Sequence, residues 1–228
     1  MRKGMTELVM ILDRSGSMSG LESDTIGGFN GMIAKQKQEE GEGEALVSVL
    51  LFDDKAEVLY DRVPIDRVEE MTAKQYYVRG CTALLDALGG AIHHISTVHK
   101  YARSEDVPEK TIFMIITDGM ENASRAYTYE KVRRMIERRK EKYHWEFLFI
   151  GANIDAIGEA ARFGIDASRA ANYVHDGEGT KRNYDALSAA VSGARRAGSA
   201  REMNAFFEQG EALEQIREDY RRRRKSEK

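Results

Sequence analysis

Two prolines, one cysteine and one tryptophan are all that 228 residues hold of these types. A single Cys excludes a disulfide framework and a cysteine-rich zinc site. The prolines, Pro64 and Pro108, mark no long linker. No apolar run approaches the roughly 20 residues of a membrane helix. Arg2 and Lys3 precede only a short apolar stretch, which runs into Asp13 without a small-residue cleavage site. It reads as a first strand rather than a signal peptide. An excess of one charge is also missing: 35 Lys+Arg face 38 Asp+Glu, a formal net charge of −3. That balance argues against a nucleic-acid binder, because few cations are spare for phosphates. There is no internal repeat. The expectation is a soluble cytoplasmic protein with reduced thiols.

What is present is alternation. Leu8 to Leu12, Ala45 to Phe52, Thr111 to Ile116 and Trp145 to Ile150 are short apolar runs rich in β-branched residues. Buried parallel strands read this way. Val58 to Tyr60 predicts a short edge strand in a hairpin, and Tyr173-Val174 a closing strand. Helical patterns lie between: Leu21 to Gln38, Ala83 to Ala102, Tyr127 to Lys142, and Asp155 to Phe163 with Asp155 as its cap. Gly27, Gly28 and Gly31 each cost a helix about 1 kcal/mol. Close approach to the sheet, or a break in the helix, would account for them. Met10, Met32, Met114 and Met135 fall at core positions.

Strands alternating with helices predict right-handed βαβ units. The fold class is therefore α/β: a Rossmann-like, doubly wound, mostly parallel sheet with one short antiparallel edge strand and helices on both faces. Residues 1–178 form that domain. Residues 179–228 read as a C-terminal helical extension, packed on the domain or used for a partner. It has a helix from Lys181 to about Ala197, a break at Gly198-Ser199, and a final helix ending in Arg221-Arg222-Arg223-Arg224-Lys225.

In such a sheet ligands sit at the carboxyl ends of the strands. The first strand ends in Asp13-Arg14-Ser15-Gly16-Ser17 and the third long one in Thr117-Asp118-Gly119. Between them Arg79-Gly80-Cys81-Thr82 feeds a helix. Two carboxylates and three hydroxyls form an all-oxygen donor set, suited to Mg²⁺ or Mn²⁺ before Zn²⁺. Singly, these residues are ordinary turn and cap chemistry. Cys81 reads as a small buried residue and no nucleophile. His93, His94 and His99 read as a solvated or half-buried helix face, His144 as a strand-edge residue. Asn122 reads either as a hydrogen-bond partner of a ligand water or of Asp118, or as a solvated loop residue.

The ordered set Asp13-x-Ser15-x-Ser17, Thr82 and Thr117-Asp118-Gly119 resembles the intact metal-ion-dependent adhesion site of the von Willebrand factor type A domain. The resemblance covers roughly Thr6 to Val174. It implies one divalent cation on the upper face, with hydroxyl ligands from Ser15, Ser17 and Thr82. Asp13 and Asp118 would act largely through bound water or outer hydrogen bonds. A protein partner would complete the shell with an Asp or Glu. Stand-alone versions are common in bacterial and phage cytoplasm. The C-terminal extension matches no part of the family pattern.

Two other readings stay open. A Mg²⁺-dependent phosphatase of haloacid-dehalogenase type also has an Asp after its first strand. It needs a second acid two residues later, worth typically about 10²–10⁴-fold in rate, and Ser15 stands there. Other enzyme loops, G-x-G-x-x-G, G-K-[ST] and G-x-S-x-G, are missing at these strand ends. The remaining alternative is an assembly protein acting through its C-terminal helix, with a purely structural metal.

Overall fold

A computed structural model describes residues 1–39 and 43–226; residues 227–228 of the expected extension lie outside them. The elements run β1 (Arg2–Asp13), α1 (Glu22–Gln38), β2 (Ala45–Phe52), β3 (Ala56–Pro64), α2 (Leu84–Tyr101), β4 (Pro108–Thr117), α3 (Tyr129–Tyr143), β5 (Glu146–Gly151), α4 (Ala156–Arg162), β6 (Ala170–Asn172), α5 (Gly177–Arg196), α6 (Ala200–Glu208) and α7 (Glu214–Ser226). The strands form one sheet in the order β3-β2-β1-β4-β5-β6.

β1 lies near the middle, parallel to β2 on one side and β4 on the other, with Leu8 between Val47 and Ile112. Its residues alternate between two cores. Leu8, Met10 and Leu12 pack with α1, α5, α6 and α7, whereas Val9 and Ile11 pack with α2, α3 and α4. Burial on both faces is why these strands are apolar throughout rather than alternating. β3 is the antiparallel edge, half-exposed and irregular in register. Such irregularity protects an edge from pairing with other chains.

The closing strand is Ala170–Asn172, three residues before the expected Tyr173-Val174. Ala and Asn carry weak strand propensity, so backbone pairing with β5 places this segment, not its side chains. His144 is no strand-edge residue: it ends α3 in the left-handed region at φ 57°. Of the glycines in α1, Gly28 answers to close approach, though to α5 and not to the sheet. A Cβ there would come within 2.3 Å of the Tyr184 ring. Gly27 and Gly31 meet nothing within 4 Å.

The C-terminal helices share the core of the sheet. A boundary at 178/179 falls inside the first turn of α5, which Asp176 caps by accepting the Gly179 N–H at 2.7 Å. Leu187, Val191, Met203, Phe207, Leu213 and Ile216 belong to the same buried cluster as Leu8 and Met114. The final helix is two helices, divided by Gly210 at φ 77°. Its basic run is largely committed: Arg221 pairs with Glu214, Arg222 with Asp219, and Arg223 with Asp176. Among the described residues no helix is long and apolar enough to cross a membrane.

Candidate functional site

The carboxyl ends of β1 and β4 lie side by side, and the loop before α2 folds over them. Asp13, at the end of β1, is 1% exposed. Its Oδ1 accepts the Ser15 N–H at 2.7 Å and its Oδ2 accepts Thr117 Oγ1 at 2.5 Å. From there a line of hydroxyls crosses the site. Thr82 Oγ1 donates to Ser15 Oγ at 3.0 Å, Ser15 Oγ and Ser17 Oγ are 3.0 Å apart, and Ser17 Oγ donates to Asp118 Oδ1 at 2.6 Å. All of Asp13, Ser15, Ser17, Thr82 and Asp118 thus meet at one place. Ser17 is exposed, and the others are buried. The cluster therefore opens to solvent on the Ser17 side.

The loops are held by backbone. Gly16 N–H donates to Gly80 C=O at 3.1 Å, Arg79 N–H to Arg14 C=O at 2.9 Å, and Ala83 N–H to Asp53 C=O at 2.8 Å. Thr82 turns inward, 3% exposed. Its neighbour Cys81 consequently faces out and is exposed, which corrects the expectation of a buried thiol.

Two carboxylates face each other across the cluster. Burial pushes the Asp13 carboxyl up to about 6. Hydrogen bonds from Thr117 and Ser15 work against that rise, and the nearby Asp118 charge adds to it. Asp118 Oδ2 is buried with no hydrogen-bond partner. His175 Nε2 stands 2.7 Å from it, yet misaligned, and it too lacks a hydrogen-bond partner. Gly119 closes the cradle. A Cβ there would lie 2.9 Å from Thr82 Oγ1 and 3.1 Å from Ser17 Oγ, so the hydroxyls converge on space that only glycine leaves free. Among the described residues no group of three or more His, Cys, Asp and Glu side chains forms a metal site. Two carboxylates with three hydroxyls is an oxygen set that fits a hard divalent ion. A buried carboxylate oxygen that accepts no hydrogen bond, with a raised carboxyl beside it, is what such an ion would satisfy.

Several supporting residues carry little sequence signal. Asn122 is exposed, and its Oδ1 accepts the Thr82 N–H at 2.9 Å, so it braces the loop that carries Thr82 and makes no bond to Asp118. Glu121 accepts the Leu85 N–H at 2.8 Å at the start of α2. Asp86 accepts the backbone N–H groups of Arg125, Ala126 and Tyr127. Together they stitch the loop after β4 to α2. Beneath the site Arg14, fully buried, donates to Asp53 at 2.9 Å and Glu57 at 2.7 Å. Burial would raise the Asp53 carboxyl, but hydrogen bonds from Arg79, the Lys55 N–H and Arg14 hold it below its ordinary value. His175 follows the sixth strand. Reading that strand end as the others were read would have found it.

Beside the cluster a cleft of about 790 Å³ is lined by Met120, Asn153, Asn172, His175, Tyr220 and Arg224 among others. Met120 is 65% exposed.

No protein-family profile matches the sequence, and no curated protein matches it significantly. Solved structures do match in shape. A von Willebrand factor type A protein from Catenulispora acidiphila superposes with TM-score 0.56 at 17% identity, over 82% of this chain and 42% of that one. Proximal thread matrix protein 1 from the mussel byssus, in a structure with a zinc-occupied adhesion-site motif, gives 0.55 at 12% identity, over 82% of this chain and 45% of that one. The PilB minor pilin of Streptococcus sanguinis gives 0.54 at 10% identity, over 83% of this chain and 62% of that one. This chain spans less than two thirds of each. The six-stranded, mostly parallel sheet with helices on both faces is the fold of the von Willebrand factor type A domains.

Proposed function

We propose that this chain is a divalent-cation-dependent protein-binding module, whose cation recruits an Asp or Glu side chain of a protein partner. The observation that carries the reading is the unbroken hydroxyl line from Thr82 through Ser15 and Ser17 to Asp118, whose buried Oδ2 accepts no hydrogen bond and faces His175. Ser15, Ser17 and Thr82 would hold the ion, with Mg²⁺ or Mn²⁺ the first choices for oxygen donors. Asp13 and Asp118 would offset its charge from behind. Bound there, the ion supplies an electrophile for an incoming carboxylate. Hydroxyl ligands add no negative charge, so that attraction survives. The adjoining cleft, with Met120, Tyr220 and Arg224, offers the surface on which the rest of a partner would rest.

An enzyme is not part of the proposal. Both oxygens of Asp13 are engaged, by the Ser15 N–H and Thr117 Oγ1, which disfavours Asp13 as a phosphatase nucleophile. A cytoplasmic site of action accords with an exposed free thiol at Cys81.

The test is thermal unfolding in chelator, Mg²⁺ and Mn²⁺, followed by affinity capture of partners with and without chelator. Ligand at about a hundredfold excess over Kd stabilises by about 2.7 kcal/mol. That gain should vanish in Ser15→Ala/Ser17→Ala. Asp118→Ala should abolish capture. Partner binding that persists in chelator and in Asp118→Ala would refute the metal bridge.

A further inference from the structure

At the other pole of the sheet, where the strands begin, lies a cleft of about 810 Å³. Its walls are the last turns of α2 and α3 and the segments entering β4 and β5. Lys100, Arg138, Arg139 and Lys142 line it, and no Asp or Glu does. This is local: the whole chain carries a formal net charge of −3.

The cations of α3 divide by where they lie. Away from this cleft, Arg133 pairs with Glu137, Arg134 with Glu130 and Lys140 with Asp166, while Lys131 lies over the Tyr127 ring at 4.1 Å. Among the described residues, the three that line the cleft form no ion pair. Arg139 is the most telling. Its guanidinium lies 5.2 Å from the Tyr143 ring centre and 5.5 Å from that of Trp145, and its Nε is buried with no hydrogen-bond partner. The buried Ser96 Oγ, on the α2 wall, is likewise unpartnered. Glu7, below, is committed to Arg62 at 2.6 Å and to His99 at 2.5 Å. Cations do favour helix C-termini through the dipole. That accounts for Lys100 and Lys142, but neither for a buried guanidinium N–H without an acceptor nor for an apolar cavity around it.

We infer that this cleft binds an organic phosphate, with phosphate oxygens on Arg138, Arg139 and Lys142 and a flat apolar body against Tyr143, Trp145 and Pro108. A guanidinium fork matches phosphate oxygens in pairs. A cavity of this size falls in the range of about 300–1,000 Å³ typical of small-molecule sites. The apolar wall would be left wet by inorganic phosphate alone.

The one tryptophan of the chain, Trp145, lines the cleft and reports directly on it. The full chain is titrated in chelator with adenosine triphosphate carrying a fluorescent ribose label, read by energy transfer from Trp145. Chelator keeps the nucleotide from reaching a cation at the hydroxyl cluster. The expected result is saturable transfer with a Kd on the order of 0.1 mM. It should weaken at least about tenfold in Arg139→Gln/Lys142→Gln. It should be unchanged in Arg133→Gln and in Ser15→Ala/Ser17→Ala. If the first double variant fails to fold, Arg138→Gln/Lys142→Gln, both at exposed positions, replaces it. Absence of saturable transfer, or unchanged affinity in the folded variant, overturns the inference. Competition by pyrophosphate as strong as by unlabelled nucleotide also overturns it, since the apolar half would then contribute nothing.

Discussion

Asn122 accepts the backbone N–H of Thr82 at 2.9 Å, and its own N–H donates back to the Thr82 carbonyl at 3.0 Å. The residue that follows Asp118 by four thus fixes the loop that presents the third hydroxyl. The two loops of the site are one hydrogen-bonded unit.

Removing that clamp should separate metal affinity from stability. Asn122→Ala should cost about 1 kcal/mol of stability in chelator. Outer partners of metal ligands are worth about 10–100-fold in affinity, so Mg²⁺ titration followed by calorimetry should show a loss of that order. Unchanged Mg²⁺ affinity would remove Asn122 from the site.

Asp13 sets a pH dependence with a definite sign. Its folded carboxyl is raised by burial to about 6 from an ordinary 3.8. Between these values the native state binds the extra proton, so in chelator stability falls as pH rises from about 4 to 6. The full effect is roughly 3 kcal/mol. Asp13→Asn should flatten the descent in urea titrations at stepped pH. Mg²⁺ competes with the same proton. Its stabilisation should therefore be weak at about pH 5 and complete by about pH 7.5.

Arg14 and Asp53 are both fully buried and 2.9 Å apart. Breaking such a pair from one side costs about 3–5 kcal/mol, because a charge is left without its partner. Arg14→Met should lower the urea midpoint accordingly, and Asp53→Asn in the same chain should restore part of it. Because the Asp53 carboxyl is held below its ordinary value, its contribution is present at neutral pH and fades as pH falls below about 4. A loss under about 1 kcal/mol in Arg14→Met would show that Arg79 suffices for Asp53.

Truncation after Gly198 removes Met203, Phe207, Leu213 and Ile216, all buried in the core of one sheet face. At roughly 1.5–3 kcal/mol each, their loss rivals the whole stability of a domain, about 5–15 kcal/mol. The truncated chain should lose cooperative unfolding by circular dichroism and become protease-sensitive. A truncated chain that melts cooperatively near the full-length Tm would make α6 and α7 an independent surface.

The hydroxyl cluster was legible because Asp13, Ser15, Ser17 and Asp118 stand at or just after strand ends and Thr82 precedes a helix, and the ordered set is informative where each residue alone is ordinary turn chemistry. The long strands were legible because burial on two faces leaves no polar residue between Leu8 and Leu12. What escaped depends on tertiary contact. His175 stands at a strand end like the other site residues, but the sequence does not show that its ring meets Asp118. The stripe from Met203 to Tyr220 keeps a helical rhythm across Gly210, so one helix was read where the chain makes two. Ala170–Asn172 is a strand only because β5 offers an open edge. Cys81 faces out because Thr82 must face in.

The embrace of α1 by α5 carries a kinetic consequence. Gln36 donates to Ser192 Oγ at 2.7 Å and accepts from Arg195 at 2.9 Å, across separations of 156 and 159 residues. Gly28 meanwhile waits for the Tyr184 ring. During synthesis, the apolar flank of β1 and α1 stays uncovered while the residues between Gln38 and Gly177 are made. Long-range closure of this kind slows folding and prolongs exposure to aggregation. The nascent protein should therefore lean on chaperones until its fifth helix arrives.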